Sequence, residues 1–278
     1  MFRRKDRIEI KSDEQILLMR QAGLVVARTL ELLREAVQPG ITTRALDAIA
    51  EESIRTQGAV PSFLGYHGYP ASICASVNDE VVHGIPGDRV LREGDQISLD
   101  CGAIVQGWHG DAAITVGVGE VAADFVELSR VTEDALWRGL AAAQVGGAVR
   151  DIGRAVESYV RSQPGGDAYG IVEEYVGHGI GTAMHMDPNV PNYDHDGRSP
   201  ALVAGMALAV EPMVCAGSRA TRTLADEWTV VTGDGRRACH WEHTVALTTQ
   251  GPWVLTALDG GAERFAALGV ASPAAGRD

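Results

Sequence analysis

Positive charge is scarce in this sequence. Its 278 residues hold 24 Lys plus Arg against 37 Asp plus Glu, a formal net charge of −13, and Lys5 and Lys11 are the only lysines. Broad binding to nucleic acid or anionic membranes needs clustered cations that neutralise phosphates, so both classes are excluded as expectations. Long apolar runs are missing too. No window approaches the roughly 18 uninterrupted apolar residues of a membrane span, and Met1 to Lys11 is charged with no apolar segment behind it. Cysteines are few: Cys74, Cys101, Cys215 and Cys239 lie far apart and form no CxxC pair. That argues against a zinc knuckle or redox motif and for buried free thiols in a cytoplasmic protein. What is present is 45% hydrophobic residues, enough for a substantial core.

The order along the chain is helices, strands, helices, strands. Ser12 followed by Gln15 matches a capping box, and Met19, Ala22, Val26, Leu30 and Leu33 follow at helical spacing. Pro39-Gly40 ends that helix, and a shorter one carries Leu46, Ile49, Ala50 and Ile54. Residues 63–79 are irregular and rich in Gly, Tyr and Pro, which predicts a loop. Strand alternation begins at Ile97, a helix is expected around residues 124–144, and another carries Val149, Ile152, Val156 and Val160. The pattern repeats. Gln38-Pro39-Gly40 with Arg44, Leu46 and Ile49 aligns with Gln144-Val145-Gly146 with Arg150, Ile152 and Ala155, and Gly94 to Asp100 aligns with Gly205 to Glu211. Such a duplication, folded about a pseudo-twofold axis, would bring Asp100 and Glu211 to one central site.

The acids in the strands are the chemically informative residues. A hairpin turning at Val105-Gln106 would set Asp100 opposite Asp111, and facing carboxylates repel unless one is protonated or cations lie between them. Glu211 ends an apolar run, Met206 to Val210, and Glu242 lies in the strand-like stretch Cys239 to Leu247. Acids are rarely buried unless paired or metal-bound. No Lys or Arg adjoins these four in sequence. With His178, flanked by Gly177 and Gly179, they form a set of four carboxylates and one imidazole, suited to two divalent ions such as Mn, Fe(II), Co or Zn. His83 and His185 are assigned to substrate. His67, His109, His195, His240 and His243 are assigned structural or surface places, although alternation puts His109 on the face of Asp111.

With Leu64 to Pro70, Ser76 to Asp79, His83 to Pro86, Gly107 to Gly110, Gly177 to Gly181 with His185, Val210 to Met213, Trp228, and Glu242 to Thr244 in this order, the chain resembles a type I methionine aminopeptidase of the short bacterial form. The resemblance implies the α+β pita-bread fold, with two pseudo-twofold halves and a central antiparallel sheet covered by helices. A single catalytic domain is expected over residues 12–267, with 1–11 and 268–278 as flexible ends. It implies removal of the initiator methionine from nascent proteins with a small second residue, by attack of hydroxide activated by two metals.

In that reading Asp111 and Glu242 bridge the metals, Asp100 holds one, and His178 with Glu211 holds the other. Glu211 moves the proton, and His83 and His185 stabilise the tetrahedral intermediate. Phe63, Tyr66, Tyr69, Cys74, Met184 and Trp228 form the methionine pocket. Met184 stands where some relatives carry an aromatic. The partners implied are Met-initiated nascent N-termini and the ribosome near its exit tunnel, for a monomer. The alternatives are a proline-directed aminopeptidase of the same fold and a non-catalytic peptide-binding module that has lost its ligands.

Overall fold

The computed structural model describes residues 8–197 and 199–274. Helix α1 (Asp13–Ala36) starts on the expected capping box: Gln15 N–H donates to Ser12 Oγ at 3.3 Å and Ser12 N–H to Gln15 Oε1 at 2.9 Å. Its predicted stripe is buried, Met19, Ala22, Val26 and Leu33 completely. Helix α2 (Thr43–Thr56) is capped by Thr42, and the strands β1 (Val60–Pro61), β2 (Ile73–Val77), β3 (Glu80–Val82), β4 (Gln96–Val105) and β5 (Trp108–Gly117) complete the first half. The second half opens with α3 (Ala123–Ala142) and α4 (Val149–Ser162). It continues through β6 (Gly170–Ile171), β7 (Gly177–Gly179), β8 (Met186–Val190), β9 (Ala207–Val210), β10 (Met213–Cys215), β11 (Thr221–Thr223), β12 (Val230–Thr232), β13 (Ala238–His240), β14 (Glu242–Thr248) and β15 (Gly251–Val254) to α5 (Ala262–Ala267).

Nine strands form the central antiparallel sheet, in the order β1-β4-β5-β14-β9-β7-β8, with β2 also on β4 and β15 also on β14. The helices cover it, and one core cluster runs through both halves, from Leu30 and Leu99 to Ile152 and Val245. No helix among the described residues is long and apolar enough to cross a membrane. Residues 63–79 depart from the expected loop: β2 pairs with β4 from Ile73–Cys101 to Val77–Ile97. Every residue of β2 is buried, so it has no apolar–polar alternation by which to be recognised. The described parts of the two ends are packed. Lys11 is buried and its N–H donates to Gly205 O, and Leu268 and Val270 lie on the core.

The duplication extends to single hydrogen bonds. Helix α4 begins and ends 106 residues after α2, and the preceding glycines, Gly40 and Gly146, share a left-handed φ of 96° and 93°. Gly40 N–H donates to Leu91 O and Gly146 N–H to Leu202 O, while Thr43 N–H donates to Arg89 O and Val149 N–H to Pro200 O. Isolated bridges join Thr42 to Val90 and Ala148 to Ala201. A left-handed glycine admits the chain to the same turn in each half because that φ carries no Cβ penalty there. The halves are therefore two copies of one helix-to-sheet connection arranged about a pseudo-twofold axis.

Candidate metal centre

The sheet register puts the acids on one face. The hairpin turn is Gln106-Gly107, one residue later than the sequence suggested, with Val105 opposite Trp108. Both turn residues have positive φ, 50° and 84°, as a two-residue hairpin requires, and a β-branched valine is ill-suited to that region. Asp100 therefore pairs with Ala113 and Asp111 with Gly102. The acids are diagonal neighbours rather than direct partners, still on one face.

Across the sheet Cys74, Asp100, Ala113 and Glu242 form one row, and Thr244, Ala209 and His178 belong to the next. Thr244 joins Asp111 to that second row: its Oγ1 accepts from Asp111 N–H at 3.1 Å and donates to Asp111 O at 2.8 Å. Paired residues point to the same side of a sheet, so the rows aim their side chains into one space. The small residues Ala113 and Ala209 keep that space open between the acids. Glu211 follows the end of β9 and brings Oε1 to 3.5 Å from His178 Nε2.

Two groups of donor atoms converge. Asp111, His178 and Glu242 offer one, Glu211, His240 and Glu242 the other, each with ligand atoms within 4.8 Å of one another. Glu242 belongs to both. Asp100 lies outside these groups, beside Asp111. Burial raises the Asp100 carboxyl to about 7. Asp111 is pushed well up by burial and then by Glu242 and Asp100. Glu211 rises by burial and by Asp100 and Asp111, and Glu242 by burial and by Glu211 and Asp100. Histidine nitrogens rather than guanidinium or ammonium groups face them. Burial, and then His185, lowers His178 to about 3, which leaves its imidazole neutral. His178 Nδ1–H donates to Gly179 O at 3.0 Å, directing the Nε2 lone pair at the carboxylates.

Asp100 Oδ1, Asp111 Oδ1, Glu242 Oε1 and His240 Nε2 are buried without a hydrogen-bond partner. Uncompensated polar atoms cost stability singly and more so in a cluster of like charge. Divalent cations remove both the repulsion and the missing partners, so the donor set fits a metal centre.

Beside it lies a cavity of about 420 Å³ whose wall includes Phe63, Tyr66, Tyr69, Cys74, Met184 and Trp228, every residue of the expected pocket, with His83 and His185 at its polar end. Tyr69 OH donates to Ile73 O at 3.1 Å and Gly84 O at 3.0 Å, so its ring lines the cavity while its hydroxyl serves the fold. Burial, then Asp100, holds the Cys74 thiol well above its ordinary range, and it is a neutral wall residue. Tyr66 OH lies 2.9 Å from His185 Nδ1. His83 adopts a left-handed φ of 61°, uncommon for a side-chain-bearing residue, and burial, then His185, lowers it to about 4.

His240, expected at a structural or surface place, lines the cavity and belongs to a donor group. It is buried in the cavity wall with Nε2 at 3.8 Å from both Glu211 and Glu242. The signal was present: His240 stands two residues before Glu242, and alternation puts both on one face. His67 also lines the cavity. His109 is half-buried, with Nδ1 at 3.0 Å from Ser62 Oγ, whereas His243 is structural, bonded to Thr256 and packed on Trp137.

Comparison with known proteins gives a concordant picture. Residues 17–249 match the model of metallopeptidase family M24. The methionine aminopeptidase of Clostridium acetobutylicum is 50% identical over 250 residues, 90% of this chain and 98% of that one. Methionine aminopeptidase 1 of Mycobacterium tuberculosis is 53% identical over 249 residues, 88% of this chain and 94% of the other. The crystal structure of methionine aminopeptidase from Thermotoga maritima superposes with a TM-score of 0.87 at 39% identity, covering 90% of this chain and all of that one.

Proposed function

Because the chain belongs to metallopeptidase family M24 and to its type I methionine aminopeptidases, we propose how its residues divide the work of removing an N-terminal methionine by metal-activated hydrolysis. Asp111 and Glu242 would bridge two divalent ions, Asp100 would hold one of them, and His178 with Glu211 the other. When bound, such a pair supplies Lewis acidity and lowers the pKa of water toward neutrality. The observation that carries this reading is the convergence of Asp100, Asp111 and Glu242 with His178 from adjacent sheet rows, and of Glu211 from the end of β9, on one space beside an apolar cavity.

Glu211 is the proton carrier: its carboxylate stands beside imidazoles rather than a fixed cation, so it can accept a proton and release it to the leaving amine. If Tyr66 OH donates to His185 Nδ1, the proton of that ring is on Nε2. His185 is then a donor for the scissile carbonyl oxygen, and the tyrosine fixes its tautomer. His83, held by its own backbone conformation, contacts the substrate main chain or the departing nitrogen. The wall from Phe63 to Trp228 accepts the methionine side chain, with the polarisable sulfurs of Cys74 and Met184 suited to a thioether.

Nascent chains with a small second residue are the proposed substrates, met in the cytoplasm where they leave the ribosome, with the enzyme acting as a monomer. The test is cleavage of Met-Ala-Ser and Ala-Pro-Ser after chelation and separate return of Mn, Fe(II), Co and Zn. Restored cleavage of Met-Ala-Ser alone is expected. Restoration by no metal, or preference for Ala-Pro-Ser, would overturn the reading.

A further inference from the structure

His240 is the buried group that the reading above leaves without a task. Its Nε2 is 3.8 Å from Glu211 Oε2 and 3.8 Å from Glu242 Oε2. These separations are too long for hydrogen bonds, and the nitrogen has no hydrogen-bond partner. The main chain that carries the imidazole is held in place. His240 N–H donates to Thr115 Oγ1 at 3.1 Å, the Thr115 hydroxyl donates to His240 O at 2.7 Å, and the residue pairs with Met213. The side chain is thus aimed between two acids from a strand that is pinned on both sides.

Donors bound to one ion at about 2.0–2.2 Å each lie farther apart than hydrogen-bonded atoms, and the spacing around His240 has that character. Glu211, His240 and Glu242 form a second convergent donor group, which shares Glu242 with Asp111 and His178. We propose that His240 Nε2 is a sixth protein donor of the centre, ligating a divalent ion on the Glu211–Glu242 side. This rests on the metal-centre reading and extends it. The centre would then hold two imidazoles, His178 and His240, both beside Glu211. A second nitrogen shifts preference toward Co, Fe(II) or Zn and away from Mn, which favours oxygen donors.

The test uses the full chain, stripped of metal and titrated with Co(II), as the natural sequence and as His240→Gln and His240→Asn. Calorimetry reads stoichiometry and affinity. Proton NMR of the Co(II)-loaded protein reads hyperfine-shifted imidazole N–H resonances. The natural chain is expected to show two such imidazoles by NMR and by X-ray absorption, and the variants one, with at least about tenfold weaker binding of one ion. The natural chain needs no folded variant for its count. A count of one imidazole in it, or equal affinities in a folded variant, would overturn the proposal while leaving the centre intact. Failure to bind Co(II) at all would overturn the centre and His240's role together.

Discussion

The two halves of the molecule share a connection but contribute different donors. In the N-terminal half a single continuous hairpin, β4–β5, carries Asp100 and Asp111, so both acids are set by one local register. In the C-terminal half Glu211 follows the end of β9 and Glu242 opens β14, strands joined through long-range pairing, and the histidines that face them, His178 and His240, come from two further strands. The shorter aspartates stand on the long straight hairpin. The longer glutamates and imidazoles reach in from shorter strands. An oxygen-only wall thus faces a mixed wall, and a cation held between them touches both copies of the duplication.

The largest expected effect tests whether the two walls are equal partners. Asp111→Asn and Glu242→Gln each remove one of the two proposed bridges, one per half. Each variant loses a charged donor aimed into the centre, so kcat/KM for Met-Ala-Ser should fall by roughly 10²–10⁴, about 3–5 kcal/mol of transition-state stabilisation. Calorimetry should show weakened binding of both ions. Loss in only one variant would break the comparison and assign bridging to a single half.

A smaller effect concerns the glycines that let the strands approach their neighbours. A Cβ on Gly110 would stand 2.7 Å from Gly23 N in α1, and a Cβ on Gly179 would stand 2.1 Å from Asp187 O. In both cases the obstructing atom is backbone and cannot turn away. Gly110→Ala and Gly179→Ala should each lose about 2–3 kcal/mol of stability by overpacking, read by chemical denaturation of the metal-free protein. A tolerant Gly179 would mean that β7 can move, and the mixed wall would be the looser one.

Local chemistry made the N-terminal half legible in the sequence. The capping box, the α1 stripe and the Asp100 and Asp111 pair follow from neighbours in the chain, whereas the pocket residues were expected from the family resemblance alone. The hairpin was misplaced by one residue because nothing in Val105-Gln106-Gly107 except the φ demanded at each position distinguishes the two turns, yet this shift preserved the face. Strand β2 was hidden because burial on both sides erases alternation. His240 was hidden by a different cause. Its task depends on Glu211, which arrives from another strand, and a lone histidine beside a tryptophan resembles ordinary core until that pairing is known. The duplication was visible as two matched stretches of sequence, and the matched helix bounds, hydrogen bonds and bridges tie it to structure.

The smallest effect is a pH dependence in which the two chemistries oppose each other. Asp100, raised to about 7 by burial, has a folded pKa above the ordinary carboxyl value near 4. Its contribution to stability is complete below pH 4 and is lost as pH rises through 7. The buried imidazoles behave oppositely: His178 and His240 are lowered to about 3, and His243 to about 4, by burial first. Their contribution is present above the ordinary histidine value near 6.5 and is lost as pH falls toward 4. Between about pH 4 and 6.5 the two trends offset. Above 6.5 only the acids still titrate, each changing stability by at most about 1.4 kcal/mol per pH unit. The melting temperature of the metal-free protein should therefore fall by a few degrees from pH 6.5 to 8, and Asp100→Asn should flatten the fall. A melting temperature that rises with pH in this window would show that the oxygen wall is already compensated without metal, and the contrast between the halves would lose its electrostatic basis.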